Sequence, residues 1–377
     1  MSSTSVRLPR YAVCTPQEAA EYAVLTRKGH WDLSPSELFW RDRYEFLSSK
    51  GYNLRPRLHP SWKPSWINTN RDPDFCEDSI ISLLFRVIDA SRRSDGATVM
   101  IKSILKSRRE KDIALFLSRD SIREEPANHC VHILDVLDDP LDSGRELLIM
   151  PYLRPFNDPE FCTIGEVVDF IHQTLEGLVF IHRQGVAHRD PAAANIMMDG
   201  GPLYPKGHHP VRMDYTPDAL FDAPHYSRTE RPVKYSFIDF GISSRFKPGQ
   251  PRAVVGTKGR DKSPPEMSDD IPYDPFPLDV FVLGHLYYEE FIEKYYDFDF
   301  LRPLTMAMTH PQPDRRPTSE DSYRMFTEIR STLDEVALRW RLRSRSESIP
   351  ARVVYDTVSV AREGLFRLKR LVAGGGT

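Results

Sequence analysis

From Asp78 onward the chain runs in short apolar segments broken by polar turns. The stretches "SLLFRVIDA" and "ATVMIK", joined by a turn at "SDG", predict a β-hairpin. "VHILDVLDD" and "RELLIMPYL" read as two further apolar strands with a polar break between them. After Pro151 the period lengthens. Ile164, Val167, Ile171, Leu175, Leu178 and His182 recur every three to four residues, behind Thr163 and Glu166 at the spacing of a capping box. A small sheet followed by a helical body is therefore expected.

The flanks differ from this middle. Residues 1–75 are rich in Pro and Trp ("FWRDRYEFL", "WKPSW") with one short amphipathic stretch, and read as an extension that docks by its aromatics rather than folding alone. At the other end, "RLRSRSES" reads as a solvated linker. Beyond it, Val358, Ala361, Leu365, Leu368 and Val372 form one stripe, with Arg362, Arg367, Lys369 and Arg370 off it. A basic amphipathic helix of this kind suits a membrane surface, but packing on the chain's own body is commoner, so membrane contact is not expected.

Composition narrows the function classes. The 377 residues, 40% hydrophobic and 11% aromatic, are enough to bury a sizeable core in two domains or lobes. With 51 basic against 54 acidic side chains the net charge is -3, so nothing in the overall balance calls for nucleic acid as a partner. Cys14, Cys76, Cys130 and Cys162 lie far apart, without metal-knuckle or disulfide-ladder spacing, and read as reduced thiols. No apolar run reaches the roughly 18 residues that span a bilayer, and the first residues lack the apolar segment of a secretory signal. The expected location is intracellular, in cytoplasm or nucleus.

The chemistry is concentrated in "GVAHRDPAAANIMMDG" and, farther on, "YSFIDFGISS". His188-Arg189-Asp190 with Asn195, followed by Asp239-Phe240-Gly241, resembles the catalytic loop and metal-binding loop of eukaryotic protein kinases. Other matches lie in the right order: "VMIK" with Lys102, "SPPE" with Glu266, "DVFVLG" with Asp279, and "DRRPT" with Arg316. "GVAHRD", "IMMD", "PLYP", "NHCV" and "IDFGISSRF" are similar to kinase-domain proteins abundant in basidiomycete fungi.

The resemblance implies an α+β, bilobal protein kinase-like fold with a small β-rich N-lobe and a larger helical C-lobe. The boundaries read as 1–75 extension, 76–150 N-lobe, 151–340 C-lobe with an insertion at 199–233, and 341–377 linker and tail. It also implies ATP and magnesium as cofactors and a protein hydroxyl as acceptor. Asp190 would be the base, Asn195 and Asp239 would carry magnesium, and Lys102 would neutralise phosphates. Met150 would be the gatekeeper, with the backbone of Pro151 and Leu153 facing adenine. Glu266 and Arg316 would form a buried ion pair, and Asp279 would hold the catalytic-loop backbone.

Four departures complicate that picture. If Val87 follows the glycine-rich lid, the three glycine places fall on Ile80, Ser82 and Phe85, whose side chains would hold the backbone off the phosphates. The lysine or arginine that kinases place two or four residues after the base is replaced by Ala192 and Ala194; Lys258, Arg260 and Lys262 are candidate substitutes. The acid that orients Lys102 reads as Asp112, from a helix with Ile113, Phe116 and Leu117 inward; Glu110 is the alternative. His208 and His209 in the insertion are adjacent and point oppositely on an extended strand, so a metal site is not expected there. Arg189 reads either as a partner for a phosphate on Thr257 or Ser263, or as the partner of a nearby carboxylate.

Two other function classes compete with an active protein kinase. The missing lid glycines and loop cation suit a pseudokinase that binds or scaffolds. A small-molecule phosphotransferase also lacks the loop lysine, but "SPPE" and "DRRPT" point to the protein-kinase branch.

Overall fold

Short helices in the N-terminal segment begin at strong local signals. In the computed structural model, which describes residues 8–348 apart from Leu83, together with Pro350, Thr15 and Ser34 each cap a helix. Their hydroxyls accept the N–H of Glu18 and Glu37, whose carboxylates return the bond to the cap backbone. Pro16 and Pro35 occupy the first helical turn, where a missing N–H costs nothing. The helices are α1 (Pro16–Arg27), α2 (Pro35–Arg41) and α3 (Tyr44–Ser49). Its described residues thus hold three α-helices rather than one amphipathic stretch.

The described residues divide into two units, and neither follows the sequence boundaries. The first comprises the chain up to Lys111, His132–Tyr152 and Gly200–Tyr226. It contains a five-stranded antiparallel sheet: β1 (Tyr52–Asn53), β2 (Val87–Arg92), β3 (Thr98–Leu105), β4 (Asp135–Asp138) and β5 (Arg145–Pro151), in the order β1-β2-β3-β5-β4. β1 comes from the segment read as an extension. Trp40, Leu47, Tyr52, Leu54 and Leu58 pack in one core with Ile88, Ala90, Val99, Ile101, Leu147 and Ile149 of the sheet. Arg57 and Glu37 are buried together at 2.6 Å, and Arg57 also donates to the carbonyls of Asp78 and Trp31.

The expected lid is replaced. The strand paired with β2 is Tyr52–Asn53, so residues 54–86 separate the two partners. Of the three supposed glycine places, Ile80 and Ser82 are buried and Phe85 is exposed. The apolar run from Ser82 joins the ladder only at Val87, after Arg86 at φ 65°.

Most of the 199–233 insertion belongs to the first unit instead of the helical body. Tyr152 donates to the carbonyl of Pro210 (2.9 Å), Tyr11 to that of Leu220 (2.7 Å) and Arg212 to that of Asp74 (2.5 Å). Buried His209 accepts the N–H groups of Val211 and Arg212 at Nδ1, which shapes the local turn. No group of three His, Cys, Asp or Glu suited to a metal occurs among the described residues.

The second unit comprises Asp112–Val131, Leu153–Asp199 and the described residues from Ser227 on. Helix α4 (Glu110–Leu117) enters it, followed by α5 (Asp120–Arg123). The central helix α6 (Ile164–Arg183) starts at Thr163, whose hydroxyl caps Glu166 N–H. The Glu166 carboxylate reaches one residue farther back than a capping box requires, to Cys162 N–H at 2.6 Å. Around it lie β6 (Arg154–Pro155), β7 (Val186–Ala187), β8 (Ile196–Met198), β9 (Tyr235–Phe237) and β10 (Ser244–Arg245). They are followed by α7 (Pro275–Tyr287), α8 (Arg302–Met308), α9 (Ser319–Ser331) and α10 (Glu335–Arg339).

"RLRSRSES" is a docked strap and not a solvated linker. Its backbone bonds to Cys162, Lys294 and Tyr296, while Arg343 and Arg341 pair with Asp297 and Glu347. Backbone bonding to two separate segments outweighs its polar composition. The stripe from Val358 to Val372 lies outside the described residues. No helix among the described residues is long and apolar enough to cross a membrane.

Candidate active site

In the second unit, two strand pairings bring the functional loops together. β7 pairs with β10 (Ala187↔Ser244), and β8 pairs with β9 (Ile196↔Phe237). The N–H of Ile238 extends the second ladder to the carbonyl of Asn195 at 2.9 Å, which sets Asn195 and Asp239 at one end of it. Gly185, at φ 72°, makes the turn into β7; a Cβ there would lie 2.5 Å from the carbonyl oxygen of Phe246.

The His-Arg-Asp loop hangs on a buried carboxylate. Asp279 of α7 accepts the N–H of His188 (2.7 Å) and of Arg189 (2.6 Å), and His182 of α6 donates to it at 3.0 Å. These bonds fix Arg189 in its left-handed conformation, φ 69°. His188 donates from Nε2 to the carbonyl of Ile238 (3.0 Å), so its Nδ1 is the acceptor for Asp190 N–H. Burial holds the His188 imidazole below its usual pKa and therefore neutral.

Asp190 presents a nearly buried carboxylate whose two oxygens are both engaged. Asn195 Nδ2 donates to Oδ2 (2.8 Å) and to the Asp190 carbonyl (2.9 Å), and Arg260 N–H donates to Oδ1 (2.7 Å). The Arg260 side chain follows, with Nε 3.9 Å from Oδ2. Burial raises the Asp190 pKa, and the Arg260 N–H offsets this only in part. A carboxylate oxygen has two lone pairs, so one bond on each leaves proton-accepting capacity.

Asp239 lies at φ 61°, with its Oδ1 accepting Gly241 N–H at 3.1 Å. Phe240 is buried against the His188 ring. Among the described residues, the Arg189 guanidinium donates to the carbonyls of Ile242 and Val255 and to the hydroxyls of Ser244 and Tyr273, and to no carboxylate or threonine. Thr257 donates instead to Asp269. Glu266 and Arg316 form a two-pronged pair at 2.5 and 2.9 Å, with Arg316 buried.

In the first unit, Lys102 of β3 sits 2.6 Å from Glu110 Oε1, which corrects the assignment to Asp112. Glu110 shares a face with buried Ile113, Ala114 and Leu117, at offsets of three, four and seven residues, whereas Asp112 and Leu115 are exposed on the other side. With Phe116 in place of Ala114 in the inward set, the face rotates toward Asp112. Met150 and Pro151 lie on β5, opposite Met100 and Val99 of β3. Leu153, the first residue after that unit's sheet segment, is half-buried.

Of the three candidate substitute cations, Arg260 approaches Asp190; Lys262 is turned to the carbonyl of Thr257, and Lys258 is exposed. The charges were visible in the sequence, but which of them returned to Asp190 was not. A family profile described as protein kinase domain matches residues 85–299, more than half of the chain. Among curated proteins, none matches.

Proposed function

The chain belongs to the protein kinase family, and from that premise we propose that it is an active, magnesium-dependent kinase. It would transfer the γ-phosphate of ATP to a protein hydroxyl, of serine or threonine. The observation that carries this reading is the Asp190–Asn195 pair, with Oδ2 and Nδ2 2.8 Å apart beside the ladder end that bears Asp239.

The donor set fits magnesium. Asn195 spends Nδ2 on Asp190, and no donor among the described residues reaches its Oδ1; with the Asp239 carboxylate this offers the oxygen ligands a hard cation prefers. Bound magnesium supplies charge neutralisation on the phosphates. Asp190 takes the hydroxyl proton, Lys102 held by Glu110 neutralises phosphate charge, and the backbone of Pro151 and Leu153 serves adenine beside Met150. Affinity to the basidiomycete kinase-domain proteins is part of the same reading and rests on the motifs quoted above.

A second reading, a nucleotide-binding scaffold without turnover, is favoured by one observation. The chain between β1 and β2 is a 54–86 excursion where the family has a short glycine lid. Transfer of labelled γ-phosphate from ATP, with and without magnesium, decides between them. Transfer by the wild type and none by Asp190→Asn supports the kinase, and phosphoamino-acid analysis identifies the hydroxyl. Silence in both, with ATP still bound, supports the scaffold.

A further inference from the structure

Ala192 and Ala194 leave the catalytic loop without the cation that the family places beside the base. Resting on the kinase reading above, we propose that Arg260 supplies that cation from the following segment. We further propose that the Asp261–His285 pair is the device that positions it.

The geometry is local to one unit. Arg260 donates its N–H to Asp190 Oδ1 at 2.7 Å and brings Nε to 3.9 Å from Oδ2, while its side chain remains 60% exposed. The guanidinium is therefore next to the base without being absorbed in a core contact. Asp261 fixes the backbone at this point: Oδ2 lies 2.7 Å from Nδ1 of His285 on α7, and Oδ1 accepts Ser263 N–H at 2.8 Å. On the other side, Gly259 lets the segment lie against the catalytic loop. A Cβ there would be 3.1 Å from the carbonyl of Arg189 and 3.6 Å from Asp190 Oδ1.

In the transfer, the acceptor hydroxyl oxygen bonds to the γ-phosphorus. The bond from that phosphorus to the β–γ bridging oxygen breaks, with its electron pair leaving on ADP, and the hydroxyl proton passes to the Asp190 carboxylate. Charge spread over the three moving oxygens is stabilised by a fixed cation at the base, and a planar guanidinium offers two parallel donors to such oxygens. Arg260 is thus a catalytic cation, and Asp261 and His285 are positioning residues.

The test uses the full chain with magnesium and ATP. Arg260→Ala is expected to lower kcat about 100- to 1000-fold while leaving the KM and Kd for ATP near wild type. In that background, Ala192→Lys, or Ala194→Arg at an exposed position, is expected to restore at least about tenfold. His285→Ala should lower kcat less, by displacing Arg260 in part, so that Arg260→Ala costs less in the His285→Ala background than in the wild type and the double variant matches Arg260→Ala alone. An active wild type indifferent to Arg260→Ala overturns this inference alone. So does failure of both rescue variants when thermal melting shows them folded. A wild type without Asp190-dependent transfer overturns the kinase reading and this inference together.

Discussion

Lys102 Nζ and Glu110 Oε1 lie 2.6 Å apart, with the Glu110 side chain only 7% exposed, so the lysine is held at β3 by the first residue of α4. Glu110→Ala should therefore lower kcat/KM for ATP by about 10- to 100-fold, or about 1.4–2.7 kcal/mol. Asp112→Ala, at an exposed position, should stay within about 0.5 kcal/mol of wild type in stability and leave kcat/KM unchanged. Steady-state kinetics on the two variants checks the assignment, and the reverse ranking would refute it.

The pH dependence of turnover follows from Asp190. A base works ionised, and burial raises the pKa of this carboxyl above the ordinary aspartate value. As pH falls, activity should be lost while exposed aspartates, near about 3.9, are still ionised. A kcat/KM profile with its acid limb at or below the ordinary aspartate range would contradict this.

Asp279 carries the catalytic loop through three donors at 2.6–3.0 Å and is fully buried. Asp279→Ala strands the N–H groups of His188 and Arg189, and a loss of about 2–5 kcal/mol is expected in denaturant unfolding. Phosphotransfer should also fall in the protein that remains folded, since the amide bond to Asp279 helps to hold Arg189 at positive φ. Unchanged activity in a folded Asp279→Ala protein would show that the loop is held by other contacts.

Arg57 and Glu37 are both 0% exposed, 2.6 Å apart. Glu37→Ala leaves an unpaired buried guanidinium and should cost about 3–5 kcal/mol, whereas replacing both partners by apolar residues should recover much of it. Burial pushes the Glu37 pKa up, but Arg57 and the Ser34 cap outweigh it, so the folded value is lowered. The unfolded chain then binds the proton more readily. This contribution is complete above the ordinary glutamate range and is lost as pH falls through the lowered folded value. Unfolding free energies of wild type and the double variant against pH should diverge above that range and converge below it.

Local signals in the chain determined a good deal. The 3.6-residue stripe marked α6, alternation marked β2 to β5, and His188-Arg189-Asp190, Asn195 and Asp239 marked the candidate site. All of these depend on residues a few positions apart. What the chain could not show was any relation between segments distant along it. Tyr52–Asn53 completes a sheet whose other strands start at Val87; residues 200–226 join the N-terminal segment; the polar strap at 341–347 docks on Cys162, Lys294 and Tyr296. Glu110 and Asp112 are separated by only one residue, yet a shift of one side chain in the inward set decides which face of α4 is buried. Likewise three cations stand near one another in the sequence, and only the backbone path set by Gly259 and Asp261 brings Arg260 to Asp190. Periodicity and motif spacing are written locally, whereas which buried donor meets which acceptor is settled by through-space packing, and only the tertiary structure decided it.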